Sequence, residues 1–357
     1  MDDRANQARA LAQEAEALRL GGQLPAAAAA FRAAATLAPT AEWLHNAAVV
    51  HQLLGDHAAA EAGFREALAL QPTYARARAT LGLSLLATGR MAEGFACYDA
   101  WREIPDNTSV PAPDLGAPLW SGEDLAGKSV LVWGEEGFGD QIMYARFAPL
   151  LRAAGAEVIW VCNQAMVRLV REGLGMEAIA ARSGALAIEG LDYAGPTSRL
   201  PVAFMQTLTA PPPAPYLRPP RPNVVEGLRI GVVTHGNPDH SNDHNRSLPP
   251  QAAEQLLALP GAFSLAPGDT GARDFWDTAG IIAGLELVIC VDTSVAHLAG
   301  ALGKPVWLLL PAIGCDWRWG TAGEASPWYG SMRLFRQTTP GDWSAVLAQV
   351  RTALGER

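Results

Sequence analysis

The sequence predicts a helical-repeat region followed by two α/β domains, each built on a parallel sheet. The N-terminal region is rich in alanine, has almost no strand signals, and repeats with a period of about 34 residues. From Ser129 onward, short apolar strands alternate with helical patterns, which is typical of parallel sheets. Proline-dense stretches lie between these regions and predict domain boundaries.

Length and composition exclude several classes of protein. The chain has 357 residues, 49% of them hydrophobic and 18% charged, so it is too long for one ordinary domain and too apolar to be disordered. A net charge of −9 argues against a non-specific nucleic-acid binder, although a local anion-binding pocket remains compatible with it. The 4 cysteines are scattered and form no C-x-x-C pair, which argues against a zinc site or a disulfide framework and suits a reducing compartment. With no signal-peptide core and no stretch of about 18 apolar residues, we expect a cytoplasmic protein without a membrane span.

Residues 1–106 contain a repeated pattern of turns, small residues and aromatics. The turns begin at Gly22, Gly55 and Gly89, the small residues are Ala27, Ala60 and Gly94, and the aromatics are Phe31, Phe64 and Tyr98. Leu81-Gly82 lies where a tetratricopeptide repeat places its Leu-Gly pair. The region resembles three such repeats stacked as a short superhelix, and the alternative is a plain alanine-rich helical bundle.

A proline-rich linker is predicted at 107–127, and the first α/β domain at 128–208. Within it, we expect a strand at Ser129–Trp133, a helix at Gln141–Ala154 and a strand at Glu157–Val161, which together form a right-handed β-α-β unit. The remainder of this domain has weaker patterns.

A second proline-dense strap is predicted at 209–227, followed by the second α/β domain at 228–357. The strap is interpreted as an inter-domain hinge or a disordered linker, although Tyr216 and Leu217 favour some docking. In the second domain, strands are predicted at 228–233, 263–266, 285–291 and 305–310, and helices at 250–259, 275–284, 294–302 and 343–354. Two such domains enclose a cleft.

The strongest local signal is a strand end followed directly by a helix. Asp292 and Thr293 end a buried strand, Ser294 begins the helix, and His297 lies about one turn later. Backbone N–H groups and the helix dipole at such a start form an anion site, so we predict a phosphate or pyrophosphate there. The alternative is a helix cap with a structural histidine.

A glycine-rich turn after the first strand, GEEGFGD, ends in Gly139 and Asp140. Glycines allow the backbone to approach a ligand closely, and Asp140 lies at a helix start. The turn matches neither the dinucleotide-binding fingerprint nor the Walker loop. The alternative that Asp140 only caps the helix therefore stays open.

The polar loop at 234–248 holds three histidines, His235, His240 and His244. Their uneven spacing makes a metal cluster the weaker interpretation, and Asn237 has the character of a turn residue. Arg246, at the end of the loop, is placed to reach phosphate oxygens in the cleft. We expect neither a metal nor another cofactor.

Aromatic residues cluster in CDWRWG and SPWYG, the loops at 315–320 and 326–330. They suit sugar stacking or the wall of the cleft, and Asp316 and Trp317, with Asn237, are the candidate wall residues. An ordinary hydrophobic lid is the alternative interpretation.

The C-terminal two thirds resemble heptosyltransferase-like glycosyltransferases of family 9, and the whole chain resembles bacterial proteins that fuse tetratricopeptide repeats to such a domain. The resemblance rests on GEEGFGDQIMYARFAPLL, GNPDHSNDHNRSL, DTSVAHLAGALGKPVW and SPWYGSMRLFRQ. It implies a GT-B architecture, in which two Rossmann-like domains bind a nucleotide-sugar mainly through the C-terminal one.

The resemblance also implies roles for individual residues. The family's Gly-Asp pair, whose aspartate is the proposed general base, falls on Gly139 and Asp140. The donor-binding block falls on Asp292, Thr293, Ser294 and His297, and a basic residue falls near Arg246. The implied reaction is an inverting, metal-independent transfer of a sugar to an acceptor hydroxyl, with a protein or peptide acceptor presented by the repeats.

Three departures from the family pattern bear on that reaction. Ser294 replaces a glycine, Arg246 replaces a lysine, and the first α/β domain is short, which puts the acceptor in doubt. A second hypothesis is therefore a non-catalytic repeat scaffold with a decayed transferase domain. A third, an enzyme such as a nucleotide-sugar epimerase on a similar fold, has no supporting motif.

Overall fold

The computed structural model describes residues 3–104, 115–180, 188, 190–223 and 229–356. The chain forms two compact units. The repeat unit comprises Met1–Asn107 and Ala312–Ala322, and the α/β unit comprises Thr108–Pro311 and Gly323–Arg357. The predicted linker at 107–127 lies partly outside the described residues.

The repeat unit contains three helical hairpins, as the sequence predicts. Its helices are α1 (Asp3–Leu20), α2 (Leu24–Leu37), α3 (Ala41–Leu53), α4 (His57–Leu70), α5 (Ala75–Ala87) and α6 (Met91–Tyr98), followed by a 3₁₀ turn at Asp99–Glu103. The three turn glycines have positive φ angles of 73°, 77° and 83°, a conformation that a Cβ disfavours. The repeated glycines therefore set where each hairpin turns.

Aromatic side chains fill the spaces between the hairpins. Phe31, Phe64 and Phe95 are all at most 2% exposed. The third aromatic of the predicted pattern, Tyr98, is only half-buried, and Phe95 takes its place in the core. A Cβ at Gly82 would lie 2.5 Å from the backbone nitrogen of Tyr98, so this glycine lets α5 and α6 approach closely.

A segment that follows the fourth strand of the C-terminal sheet belongs to the repeat unit. Ile313 packs on the apolar cluster of the first two hairpins, and the Gly314 N–H donates to the Leu53 carbonyl at 3.2 Å. The Trp317 ring packs edge-on against Phe95 with 5.8 Å between centroids. The compact units therefore differ from the predicted bounds, which place this segment with the second α/β domain.

The first sheet of the α/β unit has four parallel strands in the order β3-β2-β1-β4. In chain order its elements are β1 (Ser129–Trp133), α7 (Phe138–Tyr144), α8 (Ala148–Ala153), β2 (Glu157–Cys162), α9 (Gln164–Arg168), β3 (Glu177–Ala180), β4 (Tyr193–Pro196) and α10 (Arg199–Phe204). The predicted strands agree with β1 and β2 to within one residue.

The single helix predicted at Gln141–Ala154 is wrong in one respect, because a 3₁₀ turn at Ala145–Phe147 divides it into α7 and α8. Pro149 lacks an N–H and its ring crowds the carbonyl four residues earlier, at Ala145, so a continuous helix is disfavoured. The break directs Arg146 inward, where it is 1% exposed.

The second sheet has five parallel strands in the order β6-β5-β7-β8-β9. Its elements are β5 (Ile230–Val233), α11 (Asp243–Arg246), α12 (Pro250–Leu257), β6 (Ala262–Ser264), α13 (Pro267–Thr270), α14 (Phe275–Ala283), β7 (Leu287–Val291), α15 (Ser294–Ala301), β8 (Val306–Leu310), β9 (Met332–Arg336) and α16 (Ser344–Gly355). Two separate parallel sheets after a helical repeat region confirm the predicted fold class.

The described part of the proline-rich strap is packed rather than a free linker. The backbone N–H groups of Tyr216 and Leu217 donate to the Ala301 carbonyl at 3.1 and 3.2 Å. The Arg218 N–H donates to the Gly173 carbonyl at 2.9 Å, so the strap contacts both sheet regions of the α/β unit. The docking that Tyr216 and Leu217 favour is present.

Each sheet has one point where the strand order reverses. In the first sheet it lies between β1 and β4, and in the second between β5 and β7. The loops that leave the carboxyl ends of these strands diverge there and leave a crevice, which is where open α/β sheets bind ligands. Most of the predicted site residues follow β1, β5 and β7, whereas Asp316 and Trp317 follow β8.

Candidate functional site

The two strongest sequence motifs lie against each other in the α/β unit. Helices α7 and α15 are in contact. A Cβ at Gly139 would lie 2.8 Å from Cδ2 of His297 and 3.5 Å from Cα of Ser294. Only glycine permits this approach without a shift of the histidine ring. The tertiary structure therefore brings together motifs that are about 150 residues apart, a separation that no local pattern specifies.

Asp140 is the third residue of α7, in the turn that carries Gly139. Its carboxylate folds back over the start of the helix, so that a Cβ at Gly137 would lie 3.0 Å from Oδ2. The N-cap residue of α7 is Gly137, which has no side chain to satisfy the first N–H groups. Asp140 therefore lies at the start of a helix that contacts α15, and its role as a base stays a prediction.

The helix start at Ser294 lacks the side-chain cap that the alternative interpretation requires. Thr293 is the N-cap residue of α15, with φ −149° and ψ 171°, and it makes no side-chain cap hydrogen bond. Its Oγ1 atom is buried and has no hydrogen-bond partner within the described residues. An unsatisfied buried hydroxyl at a helix N-terminus is costly, and an anion bound to this helix start would satisfy it.

Arg246 reaches the same helix start from the preceding polar loop. Its Nη1 donates to the Asp292 carbonyl at 3.0 Å, directly after β7. Its Nε donates to Asp243 at 3.1 Å, and its side chain is 13% exposed. Helix α11, which carries Arg246, therefore places the guanidinium at the strand-order reversal between β5 and β7.

Sequence reasoning missed the residues that hold Arg246 in place. Ser247 Oγ donates to Asp243 at 3.0 Å and accepts from the Gly236 N–H at 2.9 Å. A Cβ at Gly236 would lie 2.6 Å from Nη2 of Arg246, so only glycine fits beneath the guanidinium. The i, i+3 spacing of Asp243 and Arg246 on a short helix is the sequence signal that could have identified this pair.

His297 is buried, and its environment was also missed. It is 4% exposed, and its Nδ1 lies 2.9 Å from the Tyr329 hydroxyl. Tyr329 comes from the SPWYG loop, interpreted from the sequence as a cleft wall or a lid. The structure thus gives His297 a fixed orientation, and direct contact between this histidine and a donor phosphate stays a prediction.

The carboxyl edge of the first sheet holds buried polar atoms that no motif indicated. Trp133 Nε1, Gln141 Oε1 and Thr197 Oγ1 are buried and have no hydrogen-bond partner within the described residues. Trp133 ends β1, Thr197 follows β4, and Gln141 lies on α7. Orphaned polar groups of this kind are found where a ligand or water completes the structure.

The predicted cleft-wall residues lie in different places. Asn237 Oδ1 accepts from the Asp239 N–H at 3.2 Å, which is a turn contact in the loop that leads to Arg246. Asp316 pairs with Arg318 at 2.8 Å, and Trp317 is buried on Phe95, so both belong to the repeat unit. The role of these two as cleft-wall residues stays a prediction.

The described residues contain no helix that is long and apolar enough to cross a membrane. Across the same ranges, no three His, Cys, Asp or Glu side chains lie close enough together to hold a metal ion. His235 pairs with its neighbour Thr234 at 2.7 Å.

Comparison with known sequences gives one curated relative. Protein FlbA of Caulobacter vibrioides is 27% identical over 332 residues, which cover 78% of this chain and 54% of that protein. The chain thus spans about half the length of the curated relative that it matches. No family model matches the chain.

Solved structures with similarity to the chain include a helical-repeat domain and a glycosyltransferase. One match is the first tetratricopeptide-repeat domain of Spaghetti (RPAP3) bound to an HSP90 peptide. The match covers 29% of this chain and 84% of that domain, with 21% identity and a TM-score of 0.28. The match to the Escherichia coli heptosyltransferase WaaC with ADP-2-deoxy-2-fluoro heptose covers 64% of this chain and 99% of WaaC. Its sequence identity is 13% and its TM-score is 0.41.

Proposed function

We propose that this chain is an inverting glycosyltransferase that transfers a sugar from a nucleotide-diphosphate donor to an acceptor hydroxyl. The observation that carries the proposal is the uncapped start of α15. There, the Thr293 hydroxyl is buried without a partner and the Arg246 guanidinium donates to the Asp292 carbonyl directly before the helix. An uncapped helix N-terminus with an adjacent fixed cation suits a diphosphate.

The site residues have complementary roles in the proposed reaction. When the sugar leaves, negative charge develops on the nucleotide diphosphate. The first N–H groups of α15, the Thr293 and Ser294 hydroxyls, and Arg246 are donors that stabilise it. Because Asp243 and the Asp292 carbonyl already hold the guanidinium, little reorganisation is needed during the reaction.

Asp140 is the proposed general base. It takes the proton of the acceptor hydroxyl while that oxygen attacks the anomeric carbon from the face opposite the leaving group, which inverts the configuration. The contact of Gly139 with Ser294 and His297 keeps the loop of Asp140 beside the donor helix. Neither a metal nor a cofactor has a part in this mechanism.

The acceptor is proposed to be a protein or peptide that the helical repeats bind. The buried polar atoms of Trp133, Gln141 and Thr197, at the carboxyl edge of the first sheet, are the proposed contacts for the acceptor hydroxyl and its neighbours. Stacked helical hairpins provide extended surfaces for chain segments, which supports a polypeptide rather than a free sugar.

The experiment is calorimetric titration of the chain with a panel of nucleoside diphosphates and their sugars. Arg246→Ala is expected to weaken binding of the best nucleotide by about 1.5–3 kcal/mol, the range for charge-assisted hydrogen bonds. The matched control is Arg351→Ala on α16, whose side chain bonds the exposed Gln255. Unchanged affinity in Arg246→Ala, or equal losses in both variants, contradicts the donor site.

A non-catalytic nucleotide-binding scaffold is the second candidate function. The close packing of Gly139 on His297 and Ser294 favours it, because this packing leaves little room for an acceptor between the two motifs. If nucleotide binds with Arg246-dependent affinity but no acceptor from a peptide library is glycosylated, the scaffold is the better description.

A further inference from the structure

His235 is an exposed imidazole that the proposed reaction does not use. It lies in the polar loop that follows β5, and its Nδ1 is 2.7 Å from the Thr234 hydroxyl. Within the described ranges no other polar contact of this side chain is found, so Nε2 can bind a ligand. Polar residues on a loop that a rigid scaffold holds are often the residues that contact a ligand.

The backbone on both sides of His235 is fixed. The Thr234 carbonyl accepts from the Leu248 N–H at 2.9 Å, and the Gly236 N–H donates to Oγ of Ser247 at 2.9 Å. Both partners lie at the end of the same loop, so the loop is closed by its own hydrogen bonds. These bonds, rather than the imidazole, hold His235 at the carboxyl end of β5.

This position places His235 at the sheet edge where α15 begins. In the parallel register of β5 with β7, His235 and Asp292 each lie two residues beyond the last pair. The next residue, Gly236, lies against the guanidinium of Arg246, because a Cβ there would be 2.6 Å from Nη2. The same guanidinium donates to the Asp292 carbonyl at 3.0 Å. His235 is therefore a close neighbour of the cation in the proposed donor site.

The fixed positive charge of the proposed donor site is small for a diphosphate. A diphosphate carries about two or more negative charges at neutral pH. Arg246 contributes one positive charge, and its ion pair with Asp243 at 3.1 Å offsets part of it. The lysines of the chain, Lys128 and Lys304, precede β1 and β8 and so lie at the amino ends of strands, away from this edge. Histidine is the side chain that can supply a further positive charge near neutral pH, and His235 is placed to do so.

We infer that His235 is a donor-binding residue that takes up a proton when the diphosphate binds. This inference rests on the proposed function and adds a binding residue to its donor site. In the imidazolium form both ring nitrogens carry protons, so Nε2 donates to a phosphate oxygen whichever nitrogen carries the proton in the neutral ring. The bound phosphate favours this form, because an opposite charge within about 4–6 Å stabilises it. The proton comes from the solvent and returns to it when the nucleotide leaves.

Other ionisable groups lie on the elements that meet at this edge. They are Asp239, His240, Asp243, His244 and Arg246 on the same loop and α11, Asp292 after β7, Asp140 on α7 and His297 on α15. A phosphate group also changes its own protonation near neutral pH. Proton uptake is therefore assigned to His235 as the difference between the unmodified chain and a variant that lacks this imidazole.

Calorimetric titration with inorganic pyrophosphate, ADP, GDP and UDP, in buffers of different ionisation enthalpy, measures both affinity and proton uptake. At about pH 6, His235→Asn is expected to weaken diphosphate binding about tenfold, the loss of one charge-assisted hydrogen bond. It is also expected to take up fewer protons on binding. At about pH 8 the loss of affinity is expected to be smaller, because fewer imidazoles are protonated.

The matched control is His244→Asn, which removes an exposed histidine of α11 and is expected to change neither quantity. His235→Lys separates charge from packing, because lysine keeps its positive charge at both pH values. It is expected to bind diphosphates more tightly than His235→Asn by a similar factor at about pH 6 and about pH 8, without proton uptake at this position.

The possible failures of this inference and of the proposed function are distinguishable. If diphosphates bind with Arg246-dependent affinity while His235→Asn takes up as many protons as the unmodified chain, His235 has no such role and the proposed donor site stands. Equal losses in His235→Asn and His244→Asn, or a lysine variant that binds no better than the asparagine variant, also overturn the inference. If no diphosphate binds the unmodified chain, the donor site and the role of His235 are both rejected.

Discussion

The repeat unit and the α/β unit bury polar residues to different extents. In the repeat unit, the core is mostly alanine and leucine with one phenylalanine for each hairpin, and it also buries His45, Ser84 and Arg318. Ion pairs between repeats lie on the surface. Arg32 pairs there with Glu66, and Arg65 with Glu93, from one repeat to the next. The α/β unit buries a larger number of polar residues. They include Arg146, which is 1% exposed, and His297, and the buried hydroxyls of Thr197 and Thr293 have no hydrogen-bond partner within the described residues.

From this difference we expect residues of the repeat unit to affect mainly stability and residues of the α/β unit to affect mainly ligand binding. A repeat can be stable with small apolar residues in register, since each hairpin buries its face only against its neighbours. A buried polar group costs free energy unless it is hydrogen-bonded. Natural proteins tolerate such groups mainly at functional sites, where they bind a ligand or take part in a reaction. Variants in each unit test whether stability and ligand binding are divided between the two units in this way.

The largest expected effect is on turnover in the α/β unit. Asp140→Asn keeps the size of the side chain but removes its basicity, so transfer with an identified donor and acceptor is expected to slow by roughly 10²–10⁴. Nucleotide affinity, measured by calorimetry, is expected to stay unchanged. Asp269→Asn, at an exposed position of α13, is the control. Full activity in Asp140→Asn shows that this carboxylate only caps its helix.

The next effect is on stability in the repeat unit. Phe64 is fully buried, and Phe64→Ala is expected to lower the free energy of unfolding by roughly 3–5 kcal/mol, through lost burial and the cavity left behind. Denaturant titration measures it, with Leu70→Ala as control because Leu70 is 53% exposed. Nucleotide affinity is expected to persist under native conditions. If affinity falls in proportion to stability, the division between the units fails.

Two glycines give a smaller and more specific contrast. At Gly82 a Cβ would meet backbone atoms of Tyr98, so Gly82→Ala is expected to destabilise the repeats by about 1–3 kcal/mol. At Gly139 it would meet the His297 ring, so Gly139→Ala is expected to lower nucleotide affinity about tenfold, the loss of one charge-assisted hydrogen bond. Gly268→Ala, which has open space around it, is the control for thermal melting and for calorimetry. The reverse pattern of losses would contradict this assignment.

The smallest expected effect is the pH dependence of surface ion pairs. Hydrogen bonds from Arg273 and Arg168 lower the pKa of Asp277 from its ordinary 3.8, and those from Arg65 and Arg90 lower the pKa of Glu93 from 4.5. A lowered carboxyl pKa contributes stability above the ordinary value, and this contribution is lost as the pH falls below it. In Asp277→Asn and in Glu93→Gln, the free energy of unfolding is expected to fall less as the pH is lowered. The reduction is at most about 1 kcal/mol for each variant, because solvent screens these charges.

Denaturant titrations between about pH 2 and pH 7 measure these losses, with the pH window set by the ordinary carboxyl pKa values. Added salt is expected to reduce both effects, because these side chains are partly exposed. A loss that grows as the pH rises would contradict the sign.

Much of the fold could be predicted because its signals are local. Gly22, Gly55 and Gly89 require a left-handed backbone, so they locate the hairpin turns. Apolar runs locate β1, β7 and β8, which are buried. The division between α7 and α8 was missed although Pro149 signals it, and β9 was missed because its MRLFR sequence carries two arginines.

The candidate site was predicted as separate pieces. The strand end at Asp292, the helix start at Ser294 and the loop that ends in Arg246 are visible in the sequence, because each is a local transition from one element to the next. That Arg246 donates to the Asp292 carbonyl, and that Gly139 lies against His297, follows from the strand order, which no local pattern specifies.

By itself, the sequence determined the elements: three repeats, alternating strands and helices, and a helix that begins at Ser294 soon after a buried strand. The tertiary structure alone decided that Trp317 packs on the repeats, that the strap is docked, and that Arg146 is enclosed by aromatic rings. The physical reason is the sequence distance over which each interaction acts. Backbone propensity and hydrophobic periodicity act over a few residues, whereas a buried charge or an unpaired hydroxyl is stable only where distant segments meet around it.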